Sequence, residues 1–353
     1  MSEAAAALAE PVLWGERRRT ADRVFYGALT YTAALTLLWL FQVLTGRGTP
    51  FFQHYKVDSE TVGHVLGGLL FFNILWGLIW FGVKNLLFWK WVGFSKEERR
   101  AAFSSRMREP YDVPGLISRH SERRIRIADM IGRRGRFILL QLLGFSLLYG
   151  RIATEHTPAF VTLFLSDNLF EAVASNWVFL SFYYSSGFLG RMFYGAQSRV
   201  MDGGLARANC LLITTLWSVF KFILVPIGTQ LAAVFPADLF AVVFALIWGS
   251  YTAADASSEI VGSLFGKQKL RVWGMGDVNR KSVAGTWAAF LCSLTFCLWL
   301  VLSHHLGAPW IVLAVVLAGS NTLFELSSPR GTDDLTMATA NALLCWAFGV
   351  LVY

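Results

Sequence analysis

The chain has 353 residues, of which 55% are hydrophobic and 15% charged, with 14 Trp and 29 Phe. A water-soluble domain carries about a quarter charged residues. That leaves no room for a sizeable soluble domain, and recurring apolar runs of about twenty residues predict an all-α, polytopic transmembrane bundle. The net charge of +8 fits basic loops that set topology and meet anionic lipid, and nothing in the chain resembles a nucleic-acid module.

Residues 1–23 hold MSEAAAALAEPVLWGERRRT, which lacks the apolar core of a signal peptide and reads as a cytoplasmic tail. Hydropathy then predicts about nine spans, at 24–44, 61–83, 137–153, 177–195, 209–228, 237–254, 285–303, 309–324 and 336–353. Residues 24–236 read as an N-terminal membrane region. Of the 31 lysines and arginines, the loops assigned outside hold only Arg47 and Lys56, while Arg151, Arg191 and Lys221 lie in or beside spans. The others fall in 1–23, 84–136, 196–208, 255–284 and 325–335, which places the N-terminus and those loops in the cytoplasm. The stretch 151–176, with Asp167 and Glu171, reads as re-entrant or interfacial.

The insert 95–136 is strongly basic and is broken by Pro110 and Pro114. Its second half, RHSERRIRIADMIGRRGR, predicts an amphipathic helix with Ile125, Ile127, Met130 and Ile131 on the apolar side. Such a helix suits anionic lipid headgroups. Cys210, Cys292, Cys297 and Cys345 all sit in apolar runs without metal spacing and read as small hydrophobes. His304-His305 reads as a solvated turn.

The chemistry concentrates toward the C-terminus. On a helix, Asp255, Glu259, Gly262 and Gly266 fall within about 60° of one another. Two carboxylates one turn apart suit Mg²⁺, and the glycines let a phosphate or another helix approach. The alternatives are a helix-packing face for Gly262 and Gly266, and ion pairs with Lys221 or Arg191 for the acids. Lys267 and Lys269 follow, and then Lys281-Ser282 leads into Gly285-Thr286 at a span start, where a helix N-terminus favours anions. The run G-S-L-F-G-K-Q is not a P-loop, because it has three residues between its glycines and no hydroxyl after the lysine. A third block holds Glu325, Arg330, Asp333 and Asp334 in a short cytoplasmic loop, readable also as a polar turn capped by Thr332 or Asp334.

Three segments together resemble the polyprenol kinase family, which includes dolichol kinase, phytol kinase and CTP-dependent diacylglycerol kinases. They are Ala254-Asp255 through Gly262 to Phe265-Gly266-Lys267; Lys281-Ser282 through Gly285-Thr286; and Glu325 through Ser328 and Gly331 to Asp333-Asp334-Leu335-Thr336. The resemblance covers 237–353. Ala254, Ser258, Ala284, Asp334 and Ala338 stand where the family pattern has Gly, Ala, Glu, Asn and Pro. It implies phosphoryl transfer from CTP to a lipid alcohol: a polyprenol, phytol or diacylglycerol. Asp255, Glu325 and Asp333 would then bind Mg²⁺. Gly262, Gly266, Lys267, Lys269, Lys281, Ser282, Gly285 and Arg330 would serve the nucleotide phosphates. Asp255 and Glu259 would be catalytic, Glu259 receiving the hydroxyl proton. The implied setting is a bacterial inner membrane with the site on its cytoplasmic face. A lipid cytidylyltransferase, a transporter and a degenerate relative are the competing readings.

Overall fold

A computed structural model describes residues 3–47, 63, 75–103, 113–135, 169–185, 187–200, 205–270, 281–328 and 332–353. Those residues are helical apart from short connections and one isolated antiparallel bridge, Lys269 to Ser282. In chain order the helices are α1 (Glu3–Thr45), α2 (Trp76–Leu87) with a π-turn at Phe88–Val92, α3 (Lys96–Phe103), α4 (Val113–Arg119) and α5 (122–135). Then come α6 (Leu169–Tyr183), α7 (Phe188–Gly195), α8 (Ala206–Val234), α9 (Ala237–Phe265), α10 (Val283–Ser303), α11 (Ala308–Ser327) and α12 (Asp333–Val352). The chain divides into two compact units, with the boundary inside α8 between Thr215 and Leu216.

Five described helices are long and apolar enough to cross a membrane: Arg19–Thr45, Asp238–Phe265, Val283–Ser303, Ala308–Ser327 and Asp333–Val352. They carry the expected spans 24–44, 237–254, 285–303, 309–324 and 336–353. The segment 209–228 lies within α8, which is not among those five. Most of 61–83, all of 137–153, and Asp167 lie outside the described residues. Residues 3–23, read as a tail, continue the helix of α1.

The expected span 177–195 is not one helix. It stops at Tyr183 and restarts at Phe188 behind Gly187, whose backbone is extended. The cause is Arg207, whose Nη1 donates to the carbonyls of Phe182 (3.3 Å), Tyr183 (2.7 Å) and Ser185 (2.8 Å). A cation thereby satisfies the carbonyls that a helix end leaves without partners. Tyr183, stacked on Phe25 at 5.0 Å, donates to the Ala21 carbonyl and ties this end to α1.

The basic insert also differs from expectation. Ile125 and Ala128 are fully buried, packed with Phe88, Phe94, Phe103 and Leu116. The apolar side of α5 is therefore covered by protein, not turned toward lipid. Only Ile131 of its expected apolar residues is exposed, while Arg123, Arg124 and Arg126 remain on the surface. The pull inward comes from a buried ion pair, Lys84 Nζ to Asp129 Oδ1 at 2.9 Å. Lys84 also donates to the Ser198 carbonyl, and Asp129 Oδ2 accepts from the Val200 amide at 2.7 Å. Breaking a buried pair strands its partner. Lys84→Met is expected to lower stability by about 3–5 kcal/mol, read as a lower unfolding midpoint in detergent.

In the second unit α9 is the inner helix. Its most apolar window is 72% buried, against 39% for α10 and α11 and 33% for α12. Val242, Val243, Leu246 and Ile247 of α9 pack with Cys297, Leu300 and Val301 of α10, Leu313 and Leu317 of α11, and Met337, Ala342 and Cys345 of α12. This aliphatic burial packs the four helices side by side.

Candidate functional site

The acidic cluster forms where the ends of three helices meet. Asp255 lies ten residues before the end of α9, Glu325 in the last turn of α11, and Asp333 in the first turn of α12. One carboxylate oxygen from each comes within 4.8 Å of the other two, close enough to ligate a single cation. Glu325 is 4% exposed, while Asp255 and Asp333 are half-buried.

Glu325 is held from one side. Its Oε1 accepts from Ser258 at 2.7 Å and from the Lys281 ammonium. Its Oε2 is buried and has no hydrogen-bond partner among the described residues. Like charges this close repel, and an orphaned buried carboxylate oxygen costs free energy unless something meets it. The Lys281 ammonium offsets part of this negative charge. Ser258 and Lys281 together orient Glu325. Tyr251, buried one turn before Asp255, brings its phenol within electrostatic reach of Asp255 and Asp334. Sequence reasoning missed Tyr251, although its i, i+4 spacing from Asp255 was a usable signal.

Lys281 is the cation of the site. Burial alone would lower its pKa, but Glu325, with Asp333 and Asp255 behind it, raises it above the ordinary lysine value. A raised folded-state pKa stabilises fully below the unfolded value and loses that contribution as pH rises through the folded one. The wild-type unfolding midpoint is therefore expected to show a decline specific to the alkaline range. Lys281→Met removes that step and lowers stability at neutral pH, as a pH series of thermal melts will report.

The glycines and Ser282 serve helix contact. A Cβ at Gly285 would lie 2.7 Å from the Ser258 carbonyl and 3.3 Å from the Gly262 Cα. One at Gly262 would lie 3.1 Å from Ser282 Oγ, and one at Gly266 would collide with the Gly262 carbonyl. So α9 and α10 cross backbone to backbone, the packing alternative for these residues. Ser282 is the N-cap of α10, its hydroxyl accepting from the Gly285 amide at 3.2 Å. The amides of Val283 and Thr286 bond to the carbonyls of Gln268 and Ser282. The amides of Val283, Gly285 and Thr286 at that helix start are thus engaged within the protein.

Lys267 and Lys269 are exposed on the strand-like stretch after α9, with Lys269 paired through its backbone to Ser282. Glu259 is half-buried one turn beyond Asp255 and does not join the three-acid cluster. Arg330 lies outside the described residues. Ser328 and Thr336 share a hydrogen bond that closes the connection between α11 and α12 beside the acids. Comparison with protein-family models, with curated proteins and with solved structures returns no match.

Proposed function

We propose that the C-terminal bundle is a CTP-dependent lipid kinase that transfers a γ-phosphoryl group to the hydroxyl of a membrane lipid alcohol. The observation that carries this reading is the convergence of one carboxylate oxygen each from Asp255, Glu325 and Asp333, three separate sequence blocks, within 4.8 Å of one another. Hard oxygen donors of this kind suit Mg²⁺, with the remaining positions left to phosphate oxygens and water. Bound there, magnesium would neutralise charge on the nucleotide phosphates.

The residues around the cluster have distinct work in this reading. Lys281 and Ser258 hold Glu325 through one carboxylate oxygen. Lys267, Lys269 and Arg330 supply charge toward the triphosphate. Glu259 takes the hydroxyl proton as the lipid oxygen attacks the γ-phosphorus; the bond to the bridging oxygen breaks, and CDP leaves. The lipid tail lies among the apolar helices, which puts its hydroxyl at the membrane edge where a soluble nucleotide reaches it. The N-terminus and the site face the cytoplasm of a bacterial inner membrane, and the exposed arginines of α5 meet anionic headgroups.

Titration calorimetry of the purified protein with CTP tests this. Binding that requires Mg²⁺ and is lost in Asp255→Asn is the expected result. Absence of CTP affinity in the presence of Mg²⁺ overturns the reading, and release of pyrophosphate in place of CDP converts it to a cytidylyltransferase.

A further inference from the structure

The second unit contains a buried polar network that the proposed reaction does not use. Asn321 of α11 and Asn341 of α12 are both completely buried. Asn321 Nδ2 donates to Ser250 Oγ of α9 at 3.1 Å and to Ser293 Oγ of α10 at 3.0 Å. Asn341 Nδ2 donates to Asn321 Oδ1 at 2.9 Å, to Ser250 Oγ at 3.0 Å and to the Ile247 carbonyl at 3.3 Å. Each of the four helices thus contributes one side chain, and the surroundings are apolar: Leu246, Leu317, Ala338, Ala342 and Cys345.

The same four helices carry the site. Asn321 stands one turn from Glu325 on α11. Ser250 lies five residues before Asp255 on α9, and Asn341 eight residues beyond Asp333 on α12. At 1.5 Å per residue these offsets are about 6, 7.5 and 12 Å. Aliphatic contacts can repack at modest cost, whereas a buried amide that loses its partner finds nothing in the apolar interior to replace it. A single buried polar residue fixes register in helical bundles by this means. A slip of one turn moves a side chain about 5.4 Å, more than the 4.8 Å that encloses the three carboxylate oxygens.

We propose that Asn321 and Asn341, with Ser250 and Ser293, are positioning residues that lock the axial register of α9, α11 and α12 and so bring Asp255, Glu325 and Asp333 together. The link to the reaction rests on the metal-site reading above; the register itself does not.

The test uses the full-length protein in lipid nanodiscs and compares wild type with Asn321→Leu/Asn341→Leu. The two amides are removed together, which is nearly neutral for the bond between them, and the hydroxyls of Ser250 and Ser293 can turn to carbonyls of their own helices, so the variant is expected to fold. The first readout is a pulsed electron-resonance distance between spin labels on Ser327→Cys of α11 and Leu343→Cys of α12. Both native side chains are exposed; Cys292→Ser removes the exposed native thiol, and the other three cysteines are buried. The second readout is the Mn²⁺ concentration at half-saturation, followed by the Mn²⁺ resonance. The expected result is a distance distribution shifted or broadened by several ångströms together with about tenfold or weaker Mn²⁺ binding, the scale on which supporting residues act. An unchanged distance overturns the register role whatever the metal does. A shifted distance with unchanged Mn²⁺ affinity overturns the link to the acids. Failure of wild type to bind Mn²⁺ counts against the metal-site reading and leaves the distance readout to decide the register. Asn341→Ser, which keeps a hydroxyl at that position, carries the same readouts should the double variant not fold.

Discussion

Asp255→Asn is expected to reduce nucleotide-dependent phosphorylation of a lipid alcohol by about a hundredfold or more, the scale seen when a preorganised electrostatic group is removed from a reacting centre. The substitution keeps the shape of the side chain and deletes its charge. It leaves Glu325 and Asp333 with a neutral neighbour where each now faces a carboxylate within 4.8 Å. That relief of repulsion is expected to keep the thermal midpoint equal to wild type or raise it. The pairing of lost activity with retained or increased stability separates a functional carboxylate from a structural one. A structural acid whose removal strands Lys281 would do the reverse. Initial rates and melting curves on the same preparation read both quantities.

Gly285→Val is expected to cost about 3 kcal/mol or more, at or beyond the usual upper range for overpacking. The new side chain would meet backbone atoms, the Ser258 carbonyl at 2.7 Å and the Gly262 Cα at 3.3 Å. Backbone cannot rotate aside as the end of a flexible side chain does, so α9 and α10 must separate. Ser258 and Ser282 sit at that crossing, and separation withdraws Ser258 from Glu325 as well as loosening the fold. Gly319→Ala in α11 is the control, because a Cβ there meets nothing within 4 Å. Removing the glycine's backbone freedom at that helical position is expected to leave stability unchanged or raise it by about 0.5–1 kcal/mol. Chemical or thermal unfolding of the two variants in detergent checks the contrast.

The membrane character was legible because hydropathy is additive along the chain. The spans at 285–303, 309–324 and 336–353 were marked within two or three residues of α10, α11 and α12 at most of their ends. The 237–254 span stops short of its helix: α9 runs on to Phe265 with Asp255 and Glu259 inside it, in line with the helical reading of Asp255–Gly266. Charge argues for a helix end in a hydropathy scan, but the backbone has no reason to stop there until Gly266. The break at 184–187 was hidden for the opposite reason. An apolar run looked continuous, while the terminator, Arg207, lies 22 residues away from Ser185 in sequence. The covered face of α5 was also illegible, since an amphipathic pattern specifies an apolar neighbour without saying whether it is lipid or protein.

Within the candidate site, the meeting of Asp255 with Glu325 and Asp333 followed from motif order and side assignment. The work of Ser258, Ser282 and the three glycines did not. Small and hydroxyl residues beside lysines have the same composition whether they cradle a phosphate or let two helices touch, and the contact of Gly262 with Gly285 is visible only in the structure. Asn321 and Asn341 carried no sequence signal at all, because their partners are on other helices.

The most direct measurement incubates the purified protein with γ-labelled CTP, Mg²⁺ and a panel of lipid alcohols, and follows label in the lipid phase. The account predicts labelled lipid phosphate with stoichiometric CDP, abolished by a chelator and by Asp255→Asn. Label that stays in the aqueous phase with every alcohol and every nucleoside triphosphate, from protein that is folded and in a bilayer, would contradict it.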